Sequence, residues 1–237
     1  MPLGLVLSCE HAAWQLPPGD DLGVTGEDLR SQAGWDPGAL AIALEVGEAL
    51  AVPVHAGAFS RMFVDLNRPP DHVDVIPRVS YGAPVPGNAA LSADERARRL
   101  TWFHAPYWDA VRTDARARLV DHDGCLHLCS HSFDPALDPD ARRFEVGVLY
   151  DPDHAFEAAL SERLLFGLRK AGIDVRANQP YRGTGPSIAT SLRAELGARY
   201  GGIQLETSHA VVDRPEGALR IGRAVAAVVG ELLAREP

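Results

Sequence analysis

Two histidines stand at the ends of apolar runs that lie far apart in the chain. His11 follows Leu3-Gly4-Leu5-Val6-Leu7 in the stretch Ser8-Cys9-Glu10-His11, and His131 follows Leu126-His127-Leu128-Cys129 in Ser130-His131-Ser132. Two neutral imidazoles and one carboxylate are a common ligand set for catalytic zinc, with a position left open for water. Two carboxylates compete for the third place: Asp36, in Gly34-Trp35-Asp36-Pro37-Gly38 just before a helical pattern, and Glu10, next to His11. Adjacent strand residues face opposite ways, so Glu10 and His11 can share an ion only if the chain leaves strand geometry there. That favours Asp36.

Other groups with chemistry to offer arrive the same way. Glu206 ends the run Gly202-Ile203-Gln204-Leu205. It can act as a general base on a water whose pKa zinc lowers to about 7, or steady a protonated leaving amine. The competing reading makes it a helix cap or an arginine partner. Asn67 and Arg68 follow Asp65-Leu66 and set an amide beside a guanidinium, whose fork matches a carboxylate with two parallel hydrogen bonds. Arg61 can instead polarise a carbonyl and hold the oxyanion that forms when water attacks it, unless it only balances Asp65 or Asp71. The turn-rich stretch Asn178-Gln179-Pro180-Tyr181-Arg182-Gly183 can close over a substrate with Tyr181 and Arg182. His55, His72, His122 and His154 read as surface or core histidines with local partners. Cys9, Cys125 and Cys129 read as buried thiols rather than nucleophiles.

These groups need a scaffold that brings distant segments to one edge. Runs rich in Val, Ile and Leu near 3–9, 52–58, 126–131, 145–150, 172–176 and 202–207 alternate with helical patterns, which predicts a mostly parallel, helix-covered α/β sheet with its site at the carboxyl ends of the strands. Helices are expected near 38–50, with Leu40, Leu44 and Leu50 on the apolar face, and near 154–170, 187–199 and 215–235. Another begins at Ser92, where Ser92-Ala93-Asp94-Glu95 reads as a capping box, and buries Leu100, Phe103, Tyr107, Val111 and Leu119. Pro106 should kink or split it. The Pro/Gly-rich segments 15–25, 68–88 and 176–187 lie beside strand ends and are expected to wall a pocket.

Composition narrows the function further. The 237 residues, 46% hydrophobic and 23% charged, can bury a full core, and a single domain is expected. A net charge of −9 argues against nucleic acid as partner. No run is long and apolar enough for a membrane span. Three cysteines without ribbon spacing argue against a disulfide framework or a structural zinc knuckle, and suggest a reducing cytoplasm. Val6-Leu7-Ser8-Cys9 has the look of a lipoprotein cleavage box but lacks a basic leader, and is read as part of the domain.

Taken together, Ser8-Cys9-Glu10-His11-Ala12, Ser60-Arg61, Asp65-Leu66-Asn67-Arg68, Ser130-His131-Ser132-Phe133, Asn178 through Gly183, and Leu205-Glu206 resemble the N-formylglutamate amidohydrolase family over nearly the whole chain. The resemblance implies a three-layer α/β/α fold related to zinc-dependent carboxypeptidases, one amidohydrolase domain over 1–237, and a zinc ion as cofactor. It implies a small N-acyl amino acid as substrate, such as N-formylglutamate, cleaved at its amide bond by a zinc-activated water. By it, His11 and His131 are zinc ligands, Glu206 the base, Asn67 and Arg68 the grip on a substrate carboxylate, and Arg61 the carbonyl polariser. The chain departs from the family's usual Pro-Tyr-His with Phe103-His104-Ala105-Pro106-Tyr107-Trp108. The alternatives are a zinc peptidase or deacylase on another carboxylate-bearing amide, and a non-catalytic carboxylate-binding module.

Overall fold

The computed structural model describes residues 3–234. Its strands are β1 (Leu3–Cys9), β2 (Val54–Ala56), β3 (Val79–Ser80), β4 (Ala83–Pro84), β5 (Gly124–Phe133), β6 (Val146–Leu149), β7 (Val175–Ala177) and β8 (Tyr200–Ser208). Six form one sheet in the order β2-β1-β5-β8-β6-β7, and β3 and β4 pair as a separate hairpin. Neighbours in the large sheet run parallel except β6 and β8, which are antiparallel. This is the mostly parallel sheet that the alternating pattern predicts. Its central strands β5 and β8 are buried along their whole length, as near-continuous apolar runs covered on both faces must be. The edge strands β2 and β7 are shorter than the apolar runs that encode them.

Each face has its own helices. Leu5, Leu7, Leu126 and Leu128 pack on one side against Ile42, Val46, Leu164, Leu168, Val225 and Val229, from the helices Ala39–Leu50, Ala155–Lys170 and Pro215–Ala234. Val6, Cys125 and Cys129 pack on the other side against Trp108, Val111, Ile188 and Leu192, from the helices Ala105–Asp121 and Ile188–Leu196. Alternating strand side chains feed opposite layers, which gives the α/β/α sandwich. No helix among the described residues is long and apolar enough to cross a membrane.

Two local readings are corrected. The Ala39–Leu50 helix buries Ala39, Ile42, Ala43, Val46 and Gly47, while Leu44 is exposed. A Cβ on Gly47 would meet the Val52 carbonyl at 2.7 Å, so small residues let this face pack closely, while Leu40 and Leu50 stay at its partly buried margins. Ser92 does cap the Ala93–Arg99 helix by accepting from the Glu95 N–H, but the Glu95 carboxylate binds Arg98 and Arg99 instead of closing the box. The segment does divide into two α-helices, Ala93–Arg99 and Ala105–Asp121, as Pro106 leads one to expect. A π-turn over Leu100–His104, with the Ala105 N–H donating to the Leu100 carbonyl, joins the two segments. Pro106 then sits in the first turn of Ala105–Asp121, where its missing donor costs least. Trp108 joins Val111 on the buried face, and Tyr107 packs partly buried beside them.

Candidate active site

β1 and β5 are adjacent and parallel, with Ser8 opposite Cys129, so the residues that follow them emerge on the same edge. His11 lies in the turn after β1, and His131 lies within β5 opposite Glu206 of β8. The Asp36 N–H donates to the His11 carbonyl at 3.0 Å, and the left-handed Gly38 (φ 76°) then starts the Ala39–Leu50 helix. Asp36 Oδ2 consequently stands 3.2 Å from His11 Nδ1 and 2.8 Å from His131 Nδ1. Ligand atoms of His11, Asp36 and His131 lie within 4.8 Å of one another, and all three residues are buried. The other carboxylate oxygen of Asp36 accepts from Gln32 Nε2 at 3.0 Å and pairs with Arg61 Nη2, which leaves Oδ2 facing the imidazoles.

Glu10 does not join this group. It points to the opposite side of His131, where Oε1 accepts from the Tyr107 hydroxyl at 3.0 Å and Oε2 lies 3.1 Å from His131 Nε2. Burial alone would raise its pKa, but the bond and charge of His131 outweigh burial and hold it at about 2. The same pairing, against burial, raises the pKa of His131. Burial, reinforced by Arg61, lowers His11 to about 4 despite the Asp65 carboxylate 2.7 Å from its Nε2.

A cavity of about 440 Å³ opens over these residues, lined also by Glu206, Arg61, Asn67, Arg68, Tyr181 and Arg182. Glu206 is 7% exposed and its Oε2 has no hydrogen-bond partner among the described residues. Burial raises its pKa, against the pull of His131, Arg61 and His11. A desolvated carboxylate at the wall of a cavity, with one oxygen unpartnered, is suited to accept a proton. The cap reading for Glu206 finds no support in its contacts. Arg61 is buried, paired with Asp36, and leaves its Nε unpartnered.

The outer wall differs from the sequence expectation in detail. The Asn67 amide is engaged by the protein: Oδ1 accepts from the Ile188 N–H at 3.3 Å, and Nδ2 donates to Gln204 Oε1 at 3.1 Å. It joins two walls of the cavity more than it offers free donors. Arg68 is half-buried and spends Nη1 on the Pro186 carbonyl at 2.7 Å, while Arg182 is exposed at the rim. The Tyr181 hydroxyl accepts from Arg142 at 3.3 Å. The Asn178 side chain pins this turn by accepting from the Tyr150 and Gly183 N–H groups at 3.1 and 3.0 Å. Segments 68–88 and 176–187 do wall the cavity, but none of its lining comes from 15–25.

Sequence reasoning assigned no role to several residues that matter here. Gln32 holds Asp36, Asp65 holds His11, and Tyr81, at the tip of the β3–β4 hairpin, lines the cavity with its ring 5.4 Å from the Arg61 guanidinium. His104 is not among the residues that line the cavity, and bonds the Arg68 carbonyl at 2.8 Å while stacking on Trp108. Asp65 carried a signal, since it stands in the same short block as Asn67 and Arg68. His55, His72, His122 and His154 have the local partners expected of them. The three cysteines are buried, and burial first of all raises their pKa values, that of Cys125 to about 12.

A mixed α/β/α sheet that opens a cavity at its strand ends, over buried imidazoles, carboxylates and an arginine, has the layout of an enzyme active site. Residues 3–212 match the family model of N-formylglutamate amidohydrolase, and the chain belongs to that family. It is a hydrolase acting on amide bonds. The gene product Atu2144 from Agrobacterium tumefaciens superimposes with a TM-score of 0.83 at 28% identity, over 97% of this chain and 89% of that one. N-formylglutamate amidohydrolase from Ralstonia eutropha JMP134 superimposes with a TM-score of 0.74 at 20% identity, over 98% and 94%. A bacteriophage poly-gamma-glutamate hydrolase shares the fold at a TM-score of 0.50 and 12% identity, over 96% and 84%. No curated protein matches the chain.

Proposed function

We propose that this chain, acting as one amidohydrolase domain, cleaves the amide bond of a small N-acyl amino acid, with N-formylglutamate as the leading substrate and zinc as the resident metal. The observation that carries the proposal is the buried cluster of His11, Asp36 and His131 beneath a cavity that Glu206 also lines.

The residues fit a divalent cation. The acids Glu10, Asp36, Asp65 and Glu206 are all buried around two imidazoles, and Arg61 is the buried arginine among them. His11, with Nε2 2.7 Å from Asp65, donates there and turns its Nδ1 lone pair to the negative Asp36 Oδ2, a repulsive contact that a cation relieves. His11, Asp36 and His131 would hold the ion, and two imidazoles with one carboxylate suit zinc. Bound there, the ion supplies Lewis acidity that makes water a nucleophile near neutral pH.

The chain's own residues do the rest. Glu206 accepts a proton from the attacking water at Oε2 and returns it to the leaving nitrogen, work for which its burial-raised pKa suits it. Arg61 stabilises the negative oxygen that develops on the amide carbonyl. Arg68, with Arg182 at the rim, grips the substrate carboxylate, and Asn67 fixes the loop that carries Arg68. Tyr181 closes the wall above, and the enclosing loops keep bulk water from the reacting atoms.

The test is hydrolysis of a panel of N-formyl, N-acetyl and peptidyl amino acids by purified protein supplied with zinc, cobalt or chelator. Release of amino acid from the N-formyl members, abolished by chelation and restored by metal, supports the proposal. Turnover that survives complete chelation rejects it.

A further inference from the structure

The two imidazoles of the proposed centre are held differently. Asp65 Oδ1 is 2.7 Å from His11 Nε2, while His11 Nδ1 faces Asp36 at 3.2 Å. For His131 the order is reversed, with Nδ1 2.8 Å from Asp36 and Nε2 3.1 Å from Glu10 without a hydrogen bond. We propose that Asp65 is a positioning residue that holds the His11 ring in the Nε2–H form and so turns its Nδ1 lone pair toward the cation, an inference that rests on the metal-dependent reading above.

An imidazole carries one proton when neutral, and the stronger acceptor beside it decides which nitrogen keeps that proton. His11 lies 2.7 Å from Asp65 but 3.2 Å from Asp36, so the proton belongs on the Asp65 side. A ligand ring oriented by a carboxylate is also more basic and binds metal more tightly.

The surroundings of Asp65 favour this role over a purely structural one. Asp65 is 8% exposed and locked in place: its Oδ1 also accepts from the Asn67 N–H at 2.8 Å, and its own N–H donates to the Val75 carbonyl at 2.7 Å. Asp65 therefore orients a metal-binding ring and the start of the Arg68 loop with one side chain.

The experiment compares wild type and Asp65→Asn for zinc affinity by chelator competition, with circular dichroism to confirm folding. The variant should bind zinc about 10–100-fold more weakly than wild type. In parallel, two-bond ¹⁵N–¹H correlation spectra of the wild type should put the His11 ring proton on Nε2, a readout independent of any variant. Tight zinc binding by wild type and undiminished binding by the folded variant overturns the positioning role and leaves the metal reading standing. A His11 proton found on Nδ1 overturns it too, even if the variant fails to fold. Failure of wild type itself to bind zinc overturns both together.

Discussion

Replacing Glu206 by Gln tests the proposed chemistry with little interference from folding. The two side chains have the same shape, and Oε2 of Glu206 has no hydrogen-bond partner to lose. The residue is 7% exposed and its ionisation is disfavoured by burial, so an amide there removes a desolvation cost and should leave the melting temperature unchanged or slightly higher. The amide can no longer take a proton from water. Loss of a positioned general base costs about 10²–10⁴ in rate, or roughly 3–5 kcal/mol of barrier at 1.36 kcal/mol per decade. Steady-state kinetics on N-formylglutamate should show kcat reduced by that factor with KM changed little, because Glu206 is not assigned to the carboxylate grip. Metal content, measured on the same preparation, should equal that of wild type. A variant that keeps its metal and retains kcat within about threefold of wild type would falsify the assignment of Glu206 as the proton acceptor.

Further expectations follow from the same geometry. Arg68→Lys should raise KM for carboxylate-bearing substrates about 10-fold or more while leaving their amidated analogues unaffected, since an ammonium cannot match the two-pronged contact; equal effects on both substrate sets would remove Arg68 from the grip. Gly147→Ala should cut activity, because its Cβ would collide with the Gln179 carbonyl and stand 3.4 Å from Glu206 Cβ, forcing the Tyr181 turn off the cavity; wild-type kinetics would show that this turn is dispensable. Glu157→Gln should destabilise the fold by about 3–5 kcal/mol in urea unfolding, because Arg193 loses the charge of a fully buried partner held by two 2.7 Å contacts. His127 is held at about 4 by burial, against about 6.5 in an unfolded chain, so the unfolded state takes up the proton first as pH falls. The stability this neutral ring contributes is complete above pH 6.5 and is lost on the way to pH 4, roughly 2 kcal/mol of it between pH 7 and pH 5. His127→Gln should therefore show a flatter loss of urea stability over that interval, and parallel profiles would contradict it.

The strand ends were legible because a buried parallel strand advertises itself twice, in its apolar run and in the abrupt polar residues that follow. His11, His131 and Glu206 all sit where that signal ends, and adjacent strands in one sheet bring such ends together without further instruction. Asp36 was legible for a different reason: period-two geometry disfavoured Glu10 beside His11, and Glu10 does face the far side of His131. What escaped the sequence was pairing across elements. Nothing local to Asp65 says that its partner is His11, or that Gln32 will steer Asp36, because those contacts depend on how two loops pack. The Leu44 error has the same origin. Periodicity locates an apolar stripe, but the close approach of Ala39, Ala43 and Gly47 to the sheet decided which stripe went inward. The hairpin that carries Tyr81 into the cavity has two-residue strands, too short for any periodicity to register.

The buried charges of this site make sense only as a set. A core that encloses Glu10, Asp36, Asp65 and Glu206 gives up the stability that apolar packing would supply. The structure limits the loss by tying Glu10 to Tyr107 and His131, Asp65 to His11, and Asp36 to Gln32 and Arg61. These bonds restrain the acids from the side and from behind, and leave Asp36 Oδ2 and the two Nδ1 atoms converging on one another. A cation at that point should therefore stabilise the folded protein well beyond nonspecific salt. At a free concentration 100-fold above its Kd, a ligand that binds only the folded state adds about 2.7 kcal/mol. Zinc titrated into chelator-treated protein should raise the melting temperature saturably in wild type, and Asp36→Asn should abolish the rise. An equal rise in that variant would mean that the cation binds elsewhere and that the convergence of these three side chains serves the fold alone.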